Sequence, residues 1–162
     1  MTRPAPPLTR TTILALSFAA MVLLGALLRQ TGDAIGGLLD LTLDGASARA
    51  LLQRLTPWQR DVHAHATLIY DGLYPLAYGA FFAGLAMRVG GPAARWVAFV
   101  MLAGMVADYA ENIVQLLALS GRADWLDAKT ILTPLKFALT GLAILATLAI
   151  TGRAGLRALR RS

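Results

Sequence analysis

Four ionisable side chains stand inside apolar stretches long enough to cross a bilayer: Asp71, Asp108, Glu111 and Lys136. An ionised group at mid-membrane costs at least ~2.5 kcal/mol on insertion scales, so each needs a partner or a purpose. Spacing supplies the partners. In Ala107-Asp108-Tyr109-Ala110-Glu111-Asn112-Ile113-Val114-Gln115, the residues Asp108, Glu111, Asn112 and Gln115 recur at i, i+3, i+4 and i+7, which is one face of a helix. In Tyr70-Asp71-Gly72-Leu73-Tyr74-Pro75-Leu76-Ala77-Tyr78, Asp71, Tyr74 and Tyr78 share a stripe with Tyr70 beside it. Pro75 lacks an amide hydrogen and crowds the carbonyl of Asp71, which predicts a kink or an opened turn next to the acid. Thr133, Lys136 and Thr140 form a third stripe.

Several carboxylates facing one another in a low dielectric cannot all stay ionised, so a shared proton is expected, with Lys136 as counterion. Three functions fit such a constellation. The first is a pocket that binds or transports a small amphipathic or lipid-like molecule, organic cations included. Tyr70, Tyr74 and Tyr78 would then give aromatic faces, and Asp108, Asn112, Gln115 and Lys136 polar contacts. The second is an intramembrane enzyme moving a proton on a lipid, isoprenoid or sterol-like substrate, with Asp71 or Glu111 as the catalytic group. The third is a structural or assembly subunit of a membrane complex, its polar faces locking helices together.

The elements that must position these groups are transmembrane helices. The chain has 162 residues, 57% of them hydrophobic, and a mean hydropathy of +0.60, which is too apolar for an ordinary soluble domain. It reads as a single all-α membrane domain over 1–162, a four-helix antiparallel bundle with spans at about 11–28, 66–87, 96–120 and 130–151. The first stretch is expected to stay in the membrane: its apolar run over 13–28 is followed by Arg29-Gln30-Thr31, with no small-x-small cleavage site. Pro4-Ala5-Pro6-Pro7 is expected to be a mobile lead-in. Residues 29–65 form a long outer loop, in which 48–55 brings Leu51, Leu52 and Leu55 together as a short amphipathic helix lying flat at the interface. Thr56-Pro57-Trp58 ends it, with Trp58 at headgroup level. Gly90-Gly91-Pro92 turns the second span into the third, and 152–162 is a basic tail.

Charge orients the bundle. Arg3, Arg10, Arg88, Arg95, Arg153, Arg157, Arg160 and Arg161 fall on one side with no carboxylate among them. The other side mixes Arg29, Arg49, Arg54, Arg60, Arg122 and Lys129 with Asp33, Asp40, Asp44, Asp61, Asp124 and Asp127. Both termini are therefore expected in the cytoplasm of a bacterial cell, with the chain in its inner membrane. On that topology Asp71, Glu111, Gln115 and Lys136 lie in the outer half of the bilayer and Asp108 near its middle, which predicts one shared pocket.

The formal charge of +6 belongs to helix flanks and anionic lipid contacts, so membrane lipids are expected partners and nucleic acid is not. Without cysteine there are no disulfides or thiolate sites. Two histidines exclude a histidine-rich membrane di-iron centre. The candidate metal ligands are Asp61, His63 and His65 at the outer mouth, too few donors for a metal to be expected, and no cofactor is expected. No phosphate-binding glycine loop, Gly-x-Ser-x-Gly elbow or His-Glu-x-x-His motif occurs. A homodimer or larger membrane complex fits a chain this small, although Gly79-x-x-x-Ala83 and Ala80-x-x-x-Gly84 serve packing within one chain equally well.

In layout the chain resembles the EXPERA group, which includes sterol isomerases and the sigma-2 receptor. Four spans, cytosolic ends, a long first loop ending in Pro57-Trp58 and a proline with an acid in the second span carry that resemblance. It implies isomerase-like chemistry or ligand binding within the membrane; it assigns no residue a role, and 108–112 has no counterpart in it. The small multidrug transporters also have four spans, but the first span here lacks their essential glutamate.

Overall fold

The computed structural model describes residues 7–160, which are almost wholly helical and contain no strand. Arg3, Pro4, Ala5, Pro6 and Arg161 lie outside the described residues. Three helices are long and apolar enough to cross a membrane: α1 (Thr11–Ile35), α5 (Pro92–Leu119) and α6 (Lys129–Leu159), the last entered through a 3-10 turn at Leu126–Ala128. Between them come α2 (Gly45–Arg54), α3 (Pro57–Ala66) and α4 (Gly72–Val89).

α1 and α6 both run further than their apolar stretches. Arg29 and Asp33 are compatible with a helix and pair across one turn at 3.9 Å. α1 stops only where Gly36, at φ 87°, supplies a left-handed cap whose N–H donates to the Gly32 carbonyl. Nothing in Arg153-Ala154-Gly155-Leu156-Arg157 breaks a helix, so the expected tail continues α6.

The opened turn expected beside Asp71 is present. α3 runs through a π turn at Thr67–Asp71 directly into α4, all junction residues being helical in their backbone angles. The wider turn ends at the residue whose carbonyl the Pro75 ring would meet in a regular helix. The second apolar stretch is thus helical throughout, but in two segments.

Residues 29–65 are mostly helix rather than loop. Asp44 caps α2 by accepting from the Ser47 N–H at 2.8 Å, and Thr56 with Gln59 forms a capping box on α3, with Pro57 at its first position. The short helix expected within this stretch is present as α2, its apolar side packed on the protein. Its Ala48, Leu51 and Leu52, with Leu55, pack on Leu39, Val114, Ala118, Leu119 and Leu126, so it caps the ends of α5 and α6. The Arg49 guanidinium straddles Asp124 and Asp127 at 2.7 to 2.9 Å. Contact is so close at Gly45 that a Cβ there would sit 2.7 Å from the Leu126 carbonyl oxygen.

Toward the other end, small residues let the helices approach. A Cβ on Gly79 would strike Met105, and one on Gly84 would strike the Leu8 carbonyl, so these positions serve packing within the chain. α4 packs on α1, α5 and α6, and α5 on α6, whereas α1 leans on α4 and α3 and does not pack on α6. That gap between α1 and α6 shapes the site.

Candidate functional site

The facing surfaces of α5 and α6 carry the charges. Glu111 has no exposed surface; its Oε1 accepts from Lys129 Nζ and from the Thr133 hydroxyl at 2.7 Å, and its Oε2 lies 2.8 Å from Lys136 Nζ. Lys136 also donates to Asp108 Oδ1 at 3.1 Å and to Asp40 Oδ1. The second oxygen of Asp108 accepts from the Tyr78 hydroxyl at 2.9 Å. One ion-pair network therefore joins α4, α5, α6 and the chain between α1 and α2.

Asp40 reaches this network because His63 holds its turn. The 3-10 turn Leu39–Leu41 is fixed by the Leu39 N–H, which donates to His63 Nε2 at 2.7 Å. With Nε2 accepting, the ring proton sits on Nδ1, 3.1 Å from Thr67 Oγ1 in the π turn. Burial pushes the His63 pKa down and keeps the ring neutral, as the latch requires.

Asp71 is different. It is 3% exposed, yet its buried Oδ2 has no hydrogen-bond partner. The Asn112 side chain faces it without closing a hydrogen bond. Around it are more acids: Asp40, Asp71 and Asp108 each bring a carboxylate oxygen within 4.8 Å of the others.

These groups form the polar wall of a cavity of about 430 Å³, with Tyr74, Tyr78 and Lys136 beside them and Met21, Phe82, Phe137 and Ile144 opposite. The two tyrosine rings meet edge to face, with centroids 5.3 Å apart. A wider crevice of about 760 Å³ adjoins it, sharing Asp40, Tyr74 and Phe137 and running along Gly25, Leu28 and Gly32 of α1. Both lie where α1 and α6 fail to close on each other.

Of the residues singled out from sequence, Asp71, Tyr74, Tyr78, Asp108 and Lys136 meet in this cavity. Glu111 does not line it; the Lys136 ammonium stands between. Asn112 does not line this cavity: it stands between the Asp71 carboxyl and a separate cleft with Thr67, Leu73 and Tyr109, whose hydroxyl donates to the Gly72 carbonyl at 2.9 Å. Gln115 is wholly buried, its amide without a partner. Tyr70 departs from the expected stripe and lines a shallow cleft with Asp61 and His65, because the π turn resets helical phase between Tyr70 and Tyr74. The candidate metal ligands Asp61, His63 and His65 do not assemble either. His63 is buried and occupied by Leu39 and Thr67, leaving Asp61 and His65 as an exposed pair at 3.7 Å.

Two participants, Lys129 and Asp40, escaped the sequence reading of the site, and a third, His63, figures there only as a candidate metal ligand. Lys129 falls at i, i+4 and i+7 with Thr133 and Lys136, a helical spacing that signals it. Leucines on both sides of Asp40 hint at a buried turn. His63 offers no local signal. No family model, curated protein or solved structure matches the chain.

Proposed function

We propose that this chain binds a small amphipathic, lipid-like molecule that enters sideways from the membrane between α1 and α6. In this reading the π turn and α4 complete a fourth span, the spans run antiparallel, and both termini face the cytoplasm of a bacterial inner membrane. The occupant's polar end meets Asp71, Asp108, Tyr74 and Tyr78, and its apolar part lies along Met21, Phe82 and Ile144 into the crevice beside α1. The observation that carries the proposal is the buried Asp71 carboxyl, whose Oδ2 has no hydrogen-bond partner, in the wall of a largely apolar cavity. Of the two acids expected to move a proton, Asp71 lines the cavity and Glu111 is sealed behind Lys136.

Native mass spectrometry of gently solubilised protein tests this. Wild-type protein is expected to carry an amphiphile, and Gly141→Trp to lose it. Gly141 lines the cavity and has open space where its Cβ would be, so the indole fills the cavity with little disturbance to the fold. Equal ligand content in a folded Gly141→Trp variant would sink the proposal.

A further inference from the structure

Around Asp71 the structure shows oxygen donors in excess. Asp40 comes from the turn before α2, Asp71 from the π turn and Asp108 from α5, so three separate elements deliver carboxylates to one point. Their oxygens lie within 4.8 Å of one another. A hard cation held at roughly 2.0 to 2.6 Å from each donor spans at most about 5.2 Å between opposite oxygens. A coordination sphere fits within that spread without rearrangement; an ammonium, whose contacts of about 2.8 Å put its oxygens roughly 4.6 Å apart, fits it as well, so the choice between the two rests on charge and on the donor set.

Charge favours the metal. Asp40, Asp71, Asp108 and Glu111 carry four formal negative charges, and Lys129 and Lys136 return two positive ones. One divalent cation makes up the difference. Lys136 does not occupy the position itself, since it takes only Oδ1 of Asp40 and Oδ1 of Asp108 and makes no ion pair with Asp71.

A donor outside the acidic trio is also free. Asn112 is 4% exposed, faces the Asp71 carboxyl, and has neither amide atom hydrogen-bonded. With a neutral amide oxygen and three carboxylates, and with the His63 ring nitrogens already engaged, the donor set is all oxygen. Such sets select hard cations over zinc or copper. We infer that Asp40, Asp71 and Asp108, with Asn112 beside them, form a binding site for one hard divalent metal cation, of the magnesium, manganese or calcium class, at the polar end of the cavity.

This inference needs no amphiphile, and its test uses Mn²⁺ alone as the probe. Full-length protein in detergent, stripped with chelator, reloaded and desalted, is expected to retain one Mn²⁺ per chain by electron paramagnetic resonance, displaceable by Mg²⁺ or Ca²⁺. Asp71→Asn, which removes a charge but no hydrogen bond of the fold, should weaken retention at least about tenfold. Asn112→Leu should weaken it less. Wild-type protein that retains no Mn²⁺ overturns the inference, whatever the variants do. Retention undiminished in Asp71→Asn marks an adventitious ion only. Displacement by an alkylammonium ion as effective as that by Mg²⁺ assigns the position to organic cations and overturns it likewise. Gly141→Trp should empty the cavity of amphiphile without removing Mn²⁺, so the failure of one proposal is distinguishable from the failure of the other.

Discussion

Glu111 and Asp71 are equally hidden, at 0% and 3% exposure, yet their surroundings are opposite. Glu111 has Lys129, Thr133 and Lys136 around its two oxygens; Asp71 has Asp40, Asp108 and an unbonded amide. Burial alone does not separate a structural carboxylate from a functional one. The partner set does. Donors around an acid make it a clasp between helices, whereas acceptors around it leave a demand that only a proton, a cation or a ligand can meet.

The largest expected effect breaks the clasp. Glu111→Gln leaves Lys129 and part of the Lys136 interaction unpaired in the interior, and should destabilise the protein by ~3 to 5 kcal/mol. Thermal unfolding in detergent measures it. A melting temperature equal to that of the wild type would erase the distinction between the two acids. Asp71→Asn is the counterpart: stability should stay within about 1 kcal/mol of wild type or rise, because no hydrogen bond of the fold is lost. Amphiphile content in the native mass spectrum should nevertheless fall.

A third experiment probes the hinge between the two regions. Burial depresses the His63 pKa, so the folded state binds fewer protons than the unfolded chain. The stabilisation is complete above the ordinary histidine value of about 6.5 and is lost as pH falls through the depressed folded value. Melting temperature should therefore decline below pH ~6.5. In His63→Gln that decline should be shallower, and an unchanged slope would mean that His63 does not hold the Asp40 turn. The smallest effect is expected at Arg49, whose ion pairs with Asp124 and Asp127 are largely exposed and screened. Arg49→Met should leave the melt nearly unchanged while speeding amide exchange in α2, a readout confined to the cap over α5 and α6.

What the sequence disclosed follows helical arithmetic. The Asp108 and Glu111 face of α5 and the opening beside Pro75 were visible because both depend on residues within two turns. Asp40 and His63 were not, because their roles arise only when the segment between α1 and α3 folds back over α5 and α6. Tyr70 was placed with the wrong neighbours for a related reason: a constant 100° per residue holds for an α-helix and fails across a π turn. Lys129 is the instructive case. Its spacing put it on the Lys136 face, but its position at the end of an apolar stretch made it look like an interfacial cation, and the cap formed by α2 and Leu126 is what seals that end.

The π turn at Thr67–Asp71 has one more consequence. It accommodates a residue more than a regular turn would, so it works as a register shifter built into the backbone. Removing a single residue from it would let the helix close regularly and rotate everything before it by roughly 100° relative to Tyr74 and Tyr78. Asp71, at the end of the turn, would stay on the Tyr74 and Tyr78 face while Tyr70 and the α3 residues before it, His63 included, turned away, so a one-residue indel, invisible to hydropathy, separates a chain whose α3 latches the Asp40 turn from one whose α3 does not.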